Sequence, residues 1–93
     1  MHYLYILYSE KLDHYYVGES ENPEIRLEQH NTHYFRSNFT KVAEDWKIVL
    51  SFSCDSRDDA LYLERFIKRM KSKKFTKRIL TQPEILKDIL NKR

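Results

Sequence analysis

The sequence contains few of the residues that build common ligand loops and metal sites. Among its 93 residues there are one glycine, two prolines and one cysteine. A single glycine, Gly18, excludes the glycine-rich phosphate loops of mononucleotide- and dinucleotide-binding folds, because both loops need several glycines. A single cysteine, Cys54, excludes an internal disulfide framework and a zinc site built on paired cysteines. The composition therefore excludes nucleotide-binding folds with glycine-rich loops, disulfide-stabilised domains and cysteine-based zinc domains.

Long apolar runs are also missing. The longest, from Tyr3 to Tyr8, is far shorter than the roughly 20 residues that cross a bilayer. No basic stretch precedes it and no small-residue cleavage site follows it, so we expect no membrane association, no secretion signal and a cytoplasmic protein. Apolar residues make up 41% of the chain, which favours a folded domain with one modest core.

Charge is unevenly distributed along the chain. Residues 1–64 contain six Lys and Arg against twelve acids, whereas residues 65–93 contain eleven Lys and Arg against two acids. The net charge of +3 therefore combines an acidic region with a C-terminal region of net charge +9. Such a basic region is typical of a protein that binds a polyanion, most simply nucleic acid, although a solvated lysine-rich helix has the same composition.

The first part of the chain predicts a hairpin followed by a helix. The run from Tyr3 to Tyr8 is typical of a strand buried on both faces, and residues 15–18 form its short partner after a polar turn. Asn22 before Pro23 marks a helix start, because asparagine caps backbone N–H groups and proline suits the first helical turn. This helix is expected to end near residue 30.

The remainder predicts a third strand and a series of helices. Residues 46–54 alternate between apolar and polar side chains, which predicts a strand with one buried face. Ser56 is placed to cap a helix that ends near residue 71. Residues 73–80 are typical of a short basic helix, and an amphipathic helical stretch follows Pro83.

One carboxylate is notable because it lies within the apolar face of a predicted helix. That face runs from Ala60 through Leu63 to Ile67, and Glu64 lies beside it. Burial of a charged carboxylate is costly unless the group is paired or binds a metal. Glu64 is therefore either a metal ligand or an edge residue that pairs with Lys68, four residues further on.

Other polar positions allow both a structural and a functional interpretation. Gly18 either supplies the unusual backbone conformation of a bulge or strand end, or leaves room for a ligand. Arg26 and His30 lie four residues apart on one helix face, where they are either solvated or suited to a phosphate. Tyr5 and Tyr16 are strand residues, for which packing is the commoner role.

Taken together, these residues form a pattern that resembles the signature of the GIY-YIG nucleases. Tyr3-Leu4-Tyr5 is similar to the family's first motif, and Tyr16-Val17-Gly18 is similar to the second. In the family a helix follows with an arginine and often a histidine four residues later, as at Arg26 and His30. A later helix supplies a metal-binding glutamate, which Glu64 matches in position.

The resemblance implies a fold as well as a function. It covers about residues 3–75 and is closest to the small, stand-alone, single-domain bacterial members. The implied fold class is α+β: a GIY-YIG-like β-β-α-β-α core with a small three-stranded antiparallel sheet flanked by helices. We expect residues 1–80 to form this nuclease domain and residues 81–93 to form a C-terminal helical extension packed on it.

The resemblance also implies how phosphodiester hydrolysis would proceed. Glu64 would hold one Mg²⁺ or Mn²⁺, since a hard and mostly hydrated cation needs few protein ligands. Arg26 would contact the scissile phosphate, and Gly18 would let the strand approach that phosphate closely.

The two tyrosines would flank the attacking water, with Tyr5 or Tyr16 as general base, and His30 would hydrogen-bond a tyrosine or relay its proton. A phenol has a pKa of about 10, so the metal or nearby cations must lower it. Glu19 departs from the family pattern. Its carboxylate would repel substrate and raise the pKa of a tyrosine, unless it faces solvent or joins the outer shell of the metal.

The implied substrate is DNA, with RNA as an alternative. Basic residues after Glu64 would follow the nucleic-acid backbone, and cations interleaved with aromatics in residues 33–41 would suit unpaired bases, unless that loop is a flap over the core. The candidate nucleic-acid-binding residues are Arg36, Lys41, Lys68, Lys71, Lys73 and Lys74.

The sequence therefore predicts a metal-dependent, structure-selective DNA endonuclease that acts in DNA repair or processing. One alternative is a nucleic-acid-binding module of the same fold that is catalytically weak or inactive. A second alternative is an interaction protein that uses an apolar C-terminal stripe to bind a specificity partner or a second copy in a homodimer. The stripe consists of Ile85, Leu86, Ile89 and Leu90.

Overall fold

The computed structural model describes residues 1–32 and 43–93, which form an α+β fold with a three-stranded antiparallel sheet. The elements are β1 (His2–Ser9), β2 (His14–Ser20), α1 (Pro23–Asn31), β3 (Lys47–Cys54), α2 (Arg57–Met70), α3 (Lys73–Thr81) and α4 (Glu84–Asn91). The predicted order β-β-α-β-α with C-terminal helices is confirmed. No helix in the described ranges combines the length and the apolar character that a membrane span requires.

The most apolar strand lies at the centre of the sheet. β1 pairs with both other strands, in the order β2-β1-β3. Leu4 and Ile6 pack in a core cluster with α2, α3 and α4, whereas Tyr5 and Leu7 pack in a second cluster on the side of α1. The predicted burial on both faces is confirmed, because a central strand between two layers of helices has no solvated face.

The third strand differs from its prediction. Leu50 lies opposite Ile6 but Ile48 lies opposite Leu7, so the register shifts by one residue between these pairs. Leu50 consequently packs against the first cluster and Ile48 against the second. The expectation of one buried face for residues 46–54 is wrong, because one extra residue in a strand reverses the alternation of its side chains.

α1 and α2 begin at the capping residues that the sequence predicts, and α3 begins at a further cap, Ser72. The side chains of Asn22, Ser56 and Ser72 each accept a hydrogen bond from the backbone N–H three residues later, at the starts of α1, α2 and α3. α2 ends at Met70, and the next residue, Lys71, adopts a left-handed backbone conformation with φ of 48°. This turn directs the chain from α2 into α3.

The C-terminal stripe packs on the chain's own core. Leu86 is fully buried in the first cluster, and Ile85, Ile89 and Leu90 pack against it. Arg93 pairs with Asp58 and Asp59 at the start of α2, which fastens the end of α4. The stripe therefore packs on the chain's own core, and its role in binding a specificity partner or a second copy stays a prediction.

Candidate active site

A small pocket of about 130 Å³ opens where β1, β2, α1 and α2 meet. Its lining includes each residue that the resemblance assigned to catalysis, metal binding or close approach of the backbone, together with one further acid. The lining residues of this site pocket are Tyr5, Tyr16, Gly18, Glu19, Arg26, His30 and Glu64. They belong to four different elements, so only the tertiary fold brings them together.

Gly18 makes room for a side chain of the protein itself. It lies opposite Tyr5 in the β1–β2 ladder, and a Cβ atom at position 18 would be 2.6 Å from both Cζ and Oη of Tyr5. Its φ is not positive, so the backbone conformation does not require glycine. The interpretation of Gly18 as an unusual backbone conformation is therefore wrong, and the space beside its backbone is filled by the Tyr5 phenol. Close approach of this strand to a phosphate stays a prediction.

Tyr5 and His30 form a buried pair at the base of the pocket. The Tyr5 hydroxyl lies 3.1 Å from His30 Nε2, and both residues are almost fully covered. Burial raises the pKa of Tyr5 well above its usual range, and the negative charge of an ionised Tyr16 would raise it further. Burial, with the charge of Arg26 second, lowers the pKa of His30 to about 4. Both groups are thus neutral at neutral pH.

Tyr16 occupies a more open position than Tyr5. Its ring is half-buried, with its centroid 4.8 Å from that of His30. Lys68 Nζ lies 5.4 Å from the Tyr16 ring centroid, which brings a positive charge to this side of the pocket.

Glu64 combines the two arrangements that the sequence left open. Its Oε2 accepts a hydrogen bond of 2.8 Å from Lys68 Nζ, and its side chain also lines the pocket. A carboxylate has two oxygens and about four lone-pair positions, so this contact leaves capacity for a cation. Within residues 1–32 and 43–93, no group of three His, Cys, Asp or Glu side chains is placed to hold a metal. The donor set fits a cation such as Mg²⁺, which keeps most of its water ligands.

Glu19 brings a second carboxylate into the pocket and does not face bulk solvent. Its Oε1 lies 3.6 Å from Arg57 Nε, and its Oε2 lies 3.4 Å from His2 Nε2. Oε2 is buried and has no hydrogen-bond partner among the described residues. Sequence reasoning missed Arg57 and His2, because they come from other elements and carry no local signal. The Glu19 charge contributes to the raised pKa of Tyr5, after burial and the other charges.

A groove of about 460 Å³ adjoins the pocket on the side of Tyr16. We call it the lysine groove. Its lining residues come from β2 and from the α2–α3 junction: His14, Tyr15, Tyr16, Val17, Ile67, Lys68, Lys71, Ser72, Lys73 and Thr76.

The structure thus places three of the predicted nucleic-acid-binding lysines in one groove. Lys73 Nζ donates to the side chain and the backbone carbonyl of Asp13, both at 2.7 Å, which holds α3 to the β1–β2 turn. Lys74 is exposed on α3 but does not line the groove. Arg36 and Lys41 lie outside the described residues.

A second groove of about 490 Å³ shares residues with the pocket. We call it the arginine groove, since Arg26 and Arg57 line it, and the acids Glu19 and Glu21 line it as well. Glu19 and Arg26 line both this groove and the site pocket. The pocket therefore shares Tyr16 with the lysine groove, and it shares Glu19 and Arg26 with the arginine groove.

Two hydrogen bonds hold the end of α1, the helix that carries Arg26 and His30. Asn31 Nδ2 donates to the carbonyl of Trp46 at 2.9 Å, and the Trp46 N–H donates to Asn31 Oδ1 at 2.8 Å. These two bonds join the end of α1 to the residue before β3. No pattern in the sequence indicated this contact, because it depends on two residues that meet only in the fold.

Comparison with protein-family models matches the GIY-YIG catalytic domain to residues 1–78. Searches among curated proteins and among solved structures found no match. The family match extends from β1 into α3, and it includes every residue that lines the site pocket. The chain therefore belongs to the GIY-YIG family, whose catalytic domain is that of a nuclease.

Proposed function

We propose that this protein is a divalent-metal-dependent endonuclease that hydrolyses phosphodiester bonds in DNA. The observation that carries the proposal is the convergence of two tyrosines, an arginine, a histidine and a glutamate in one pocket beside a groove lined by lysines. A chain with these residues on separate surfaces would not support catalysis. The role in DNA repair and the cytoplasmic location stay predictions from the sequence.

The charges of the pocket support a metal-dependent reaction. The charged side chains that line the pocket are Glu19, Glu64 and Arg26, so the lining itself carries a net charge of −1. A phosphate would gain little from such a lining. A divalent cation held by Glu64 would make the site net positive and would stabilise the charge that develops on the phosphoryl oxygens.

The two tyrosines have different surroundings, and we assign them different roles. Tyr5 is buried against Gly18 and bonded to His30, and its raised pKa disfavours the phenolate. Its hydroxyl suits the positioning of a neighbouring group. Tyr16 is half-exposed and lies beside Lys68, so we assign the contact with the attacking water to Tyr16. Arg26 is exposed at the pocket and would contact the scissile phosphate.

A second candidate function is nucleic-acid binding without cleavage. The buried carboxylate oxygen of Glu19 and the raised pKa of Tyr5 favour this alternative, since both oppose the chemistry of the pocket. The grooves and their cationic side chains would then be the functional surface.

The two functions are separated by a cleavage assay on supercoiled, branched and single-stranded DNA. A nuclease cuts at least one of these substrates with Mg²⁺ or Mn²⁺, and cleavage is lost with EDTA and in Glu64→Gln. The matched control is Glu84→Gln, which changes an exposed glutamate of α4 and should leave cleavage intact. A binding module cuts nothing, yet it binds DNA in a salt-sensitive manner that persists in Glu64→Ala.

A further inference from the structure

We infer that the lysine groove binds an unpaired nucleobase of the substrate strand, next to the phosphate held in the site pocket. The substrate class is therefore single-stranded or locally unpaired DNA, and intact duplex is a poor ligand. This inference rests on the proposed nuclease function, because it treats the groove as part of the path of the substrate.

The groove and the site pocket are neighbours that share one wall residue. Tyr16 lines both of them. Lys68 lines the groove, contacts Glu64 of the pocket and lies over the Tyr16 ring. A strand whose phosphate lies in the pocket would thus have its neighbouring nucleotide at the mouth of the groove.

The chemistry of the groove matches a base with its phosphate. Its apolar part is formed by Tyr15, Val17 and Ile67, and an aromatic ring is the surface on which bases stack. Lys71 and Lys73 supply positive charge at its edge. Asp13 offsets the charge of Lys73, so Lys71 is the lysine best placed to attract a backbone phosphate. A purely electrostatic backbone site would not need the apolar part.

A paired base cannot enter such a groove. In a duplex both faces of each base are stacked and its hydrogen-bonding edge is occupied, so entry requires unstacking and unpairing. The volume of about 460 Å³ lies within the range of small-molecule sites, which suits one or two bases but not a helix. The groove thus discriminates by the pairing state of the strand.

The experiment measures binding in EDTA, where cleavage cannot interfere. Three fluorescently labelled ligands are compared by anisotropy: an oligothymidylate of about eight nucleotides, an abasic strand with the same number of phosphates, and the corresponding blunt duplex. We expect the oligothymidylate to bind at least about fivefold more tightly than either of the others, which is the lower range for one stacked base. Equal affinities for the oligothymidylate and the abasic strand would overturn the inference.

Two variants assign the effect to the groove. Tyr15→Leu should reduce the preference for bases over the abasic strand, whereas Tyr62→Leu, a matched change on α2 outside the groove, should not. Lys71→Gln should weaken both strands equally, and Lys87→Gln on α4 should weaken neither. A thermal melt checks that each variant is folded. If folded Tyr15→Leu keeps the full preference, the base is bound elsewhere and the inference is wrong.

Failure of this inference is distinguishable from failure of the proposed function. Cleavage that needs Glu64, combined with equal binding of bases and abasic strand, contradicts only the role of the groove. Selective binding of bases without any metal-dependent cleavage contradicts the nuclease proposal. In that case the groove is still a binding site for bases.

Discussion

Tyr5 and Gly18 lie opposite each other in the β1–β2 ladder, and the phenol of Tyr5 occupies the place of the side chain that Gly18 lacks. A Cβ atom at position 18 would lie 2.6 Å from Tyr5 Cζ, a separation that requires something to move. The same phenol is 3.1 Å from His30 Nε2. The only glycine of the chain therefore fixes the position of a tyrosine hydroxyl in the candidate site.

Replacement of this glycine should damage the site more than the fold. Gly18→Ala forces the Tyr5 ring to shift, and overpacking of this kind costs about 1–3 kcal/mol of unfolding free energy. We expect that loss in urea denaturation, with cleavage reduced by about tenfold or more because a displaced catalytic group loses its geometry. Ser51→Ala is the control, since Ser51 lies opposite Tyr5 on the other neighbouring strand. A Gly18→Ala variant with unchanged stability and activity would contradict the contact.

His30 should make stability depend on pH in a defined window. An unfolded histidine has a pKa of about 6.5, and burial lowers the pKa of folded His30 to about 4. Between these values the unfolded chain binds more protons, so stability is full above about pH 6.5 and declines as the pH falls towards 4. The full loss of stability across this window is about 3 kcal/mol.

The test compares urea denaturation of the wild type and His30→Gln at several pH values. We expect the variant to be less stable at neutral pH but to lose less stability between about pH 6.5 and 4. His14→Gln changes an exposed histidine and should reproduce the wild-type profile. Parallel profiles for the wild type and His30→Gln would show that His30 is not held neutral by burial.

Lys68 should compete with a cation for Glu64. Its Nζ donates to Glu64 Oε2 at 2.8 Å, so the neutral variant Lys68→Met removes a positive charge from the metal-binding carboxylate. At a separation of about 6 Å in water, repulsion between the lysine charge and a bound cation costs roughly 0.7 kcal/mol for each unit of cation charge. Isothermal titration with Mn²⁺ should give at least about threefold tighter binding in Lys68→Met. Lys87→Met should bind Mn²⁺ as the wild type does, and equal affinity in all three proteins would disprove the competition.

Arg26 should affect both catalysis and the titration of its neighbour. Arg26→Gln removes the proposed phosphate contact, so cleavage should fall by about a hundredfold or more. The positive charge of Arg26 lowers the pKa of His30, and its removal should raise that pKa. NMR titration of the imidazole protons measures this change independently of activity. An unchanged pKa of His30 would contradict this effect, because it would show that the Arg26 charge does not act on His30.

Much of the fold was predictable because its signals are local. The apolar run of β1 and the capping residues Asn22, Ser56 and Ser72 each act within a few residues of their own position. The bulge in β3 was not predictable, since it depends on which residue of β1 each residue of β3 faces. An alternating pattern alone contains no information about register.

In the candidate site, too, features that depend on neighbouring residues in the sequence were predictable, whereas contacts between distant residues were not. Glu64 could be singled out because a carboxylate in an apolar helix face conflicts with its surroundings. The sequence could not show why position 18 is glycine, because the side chain that would clash there, Tyr5, belongs to another strand. The contacts of Glu19 with His2 and Arg57 were hidden for the same reason.

The most direct measurement is a Mn²⁺ titration of DNA cleavage by the wild type, Glu64→Gln and the control Glu84→Gln, with Mn²⁺ affinity measured on the same samples. We predict saturable, EDTA-sensitive cleavage in the wild type and in Glu84→Gln. In Glu64→Gln both cleavage and Mn²⁺ binding should be lost while the thermal melt stays close to that of the wild type, since an ion pair whose lysine is half-exposed adds little stability. Cleavage that persists unchanged in Glu64→Gln, or its absence in every protein, would contradict a metal-dependent nuclease site built on Glu64.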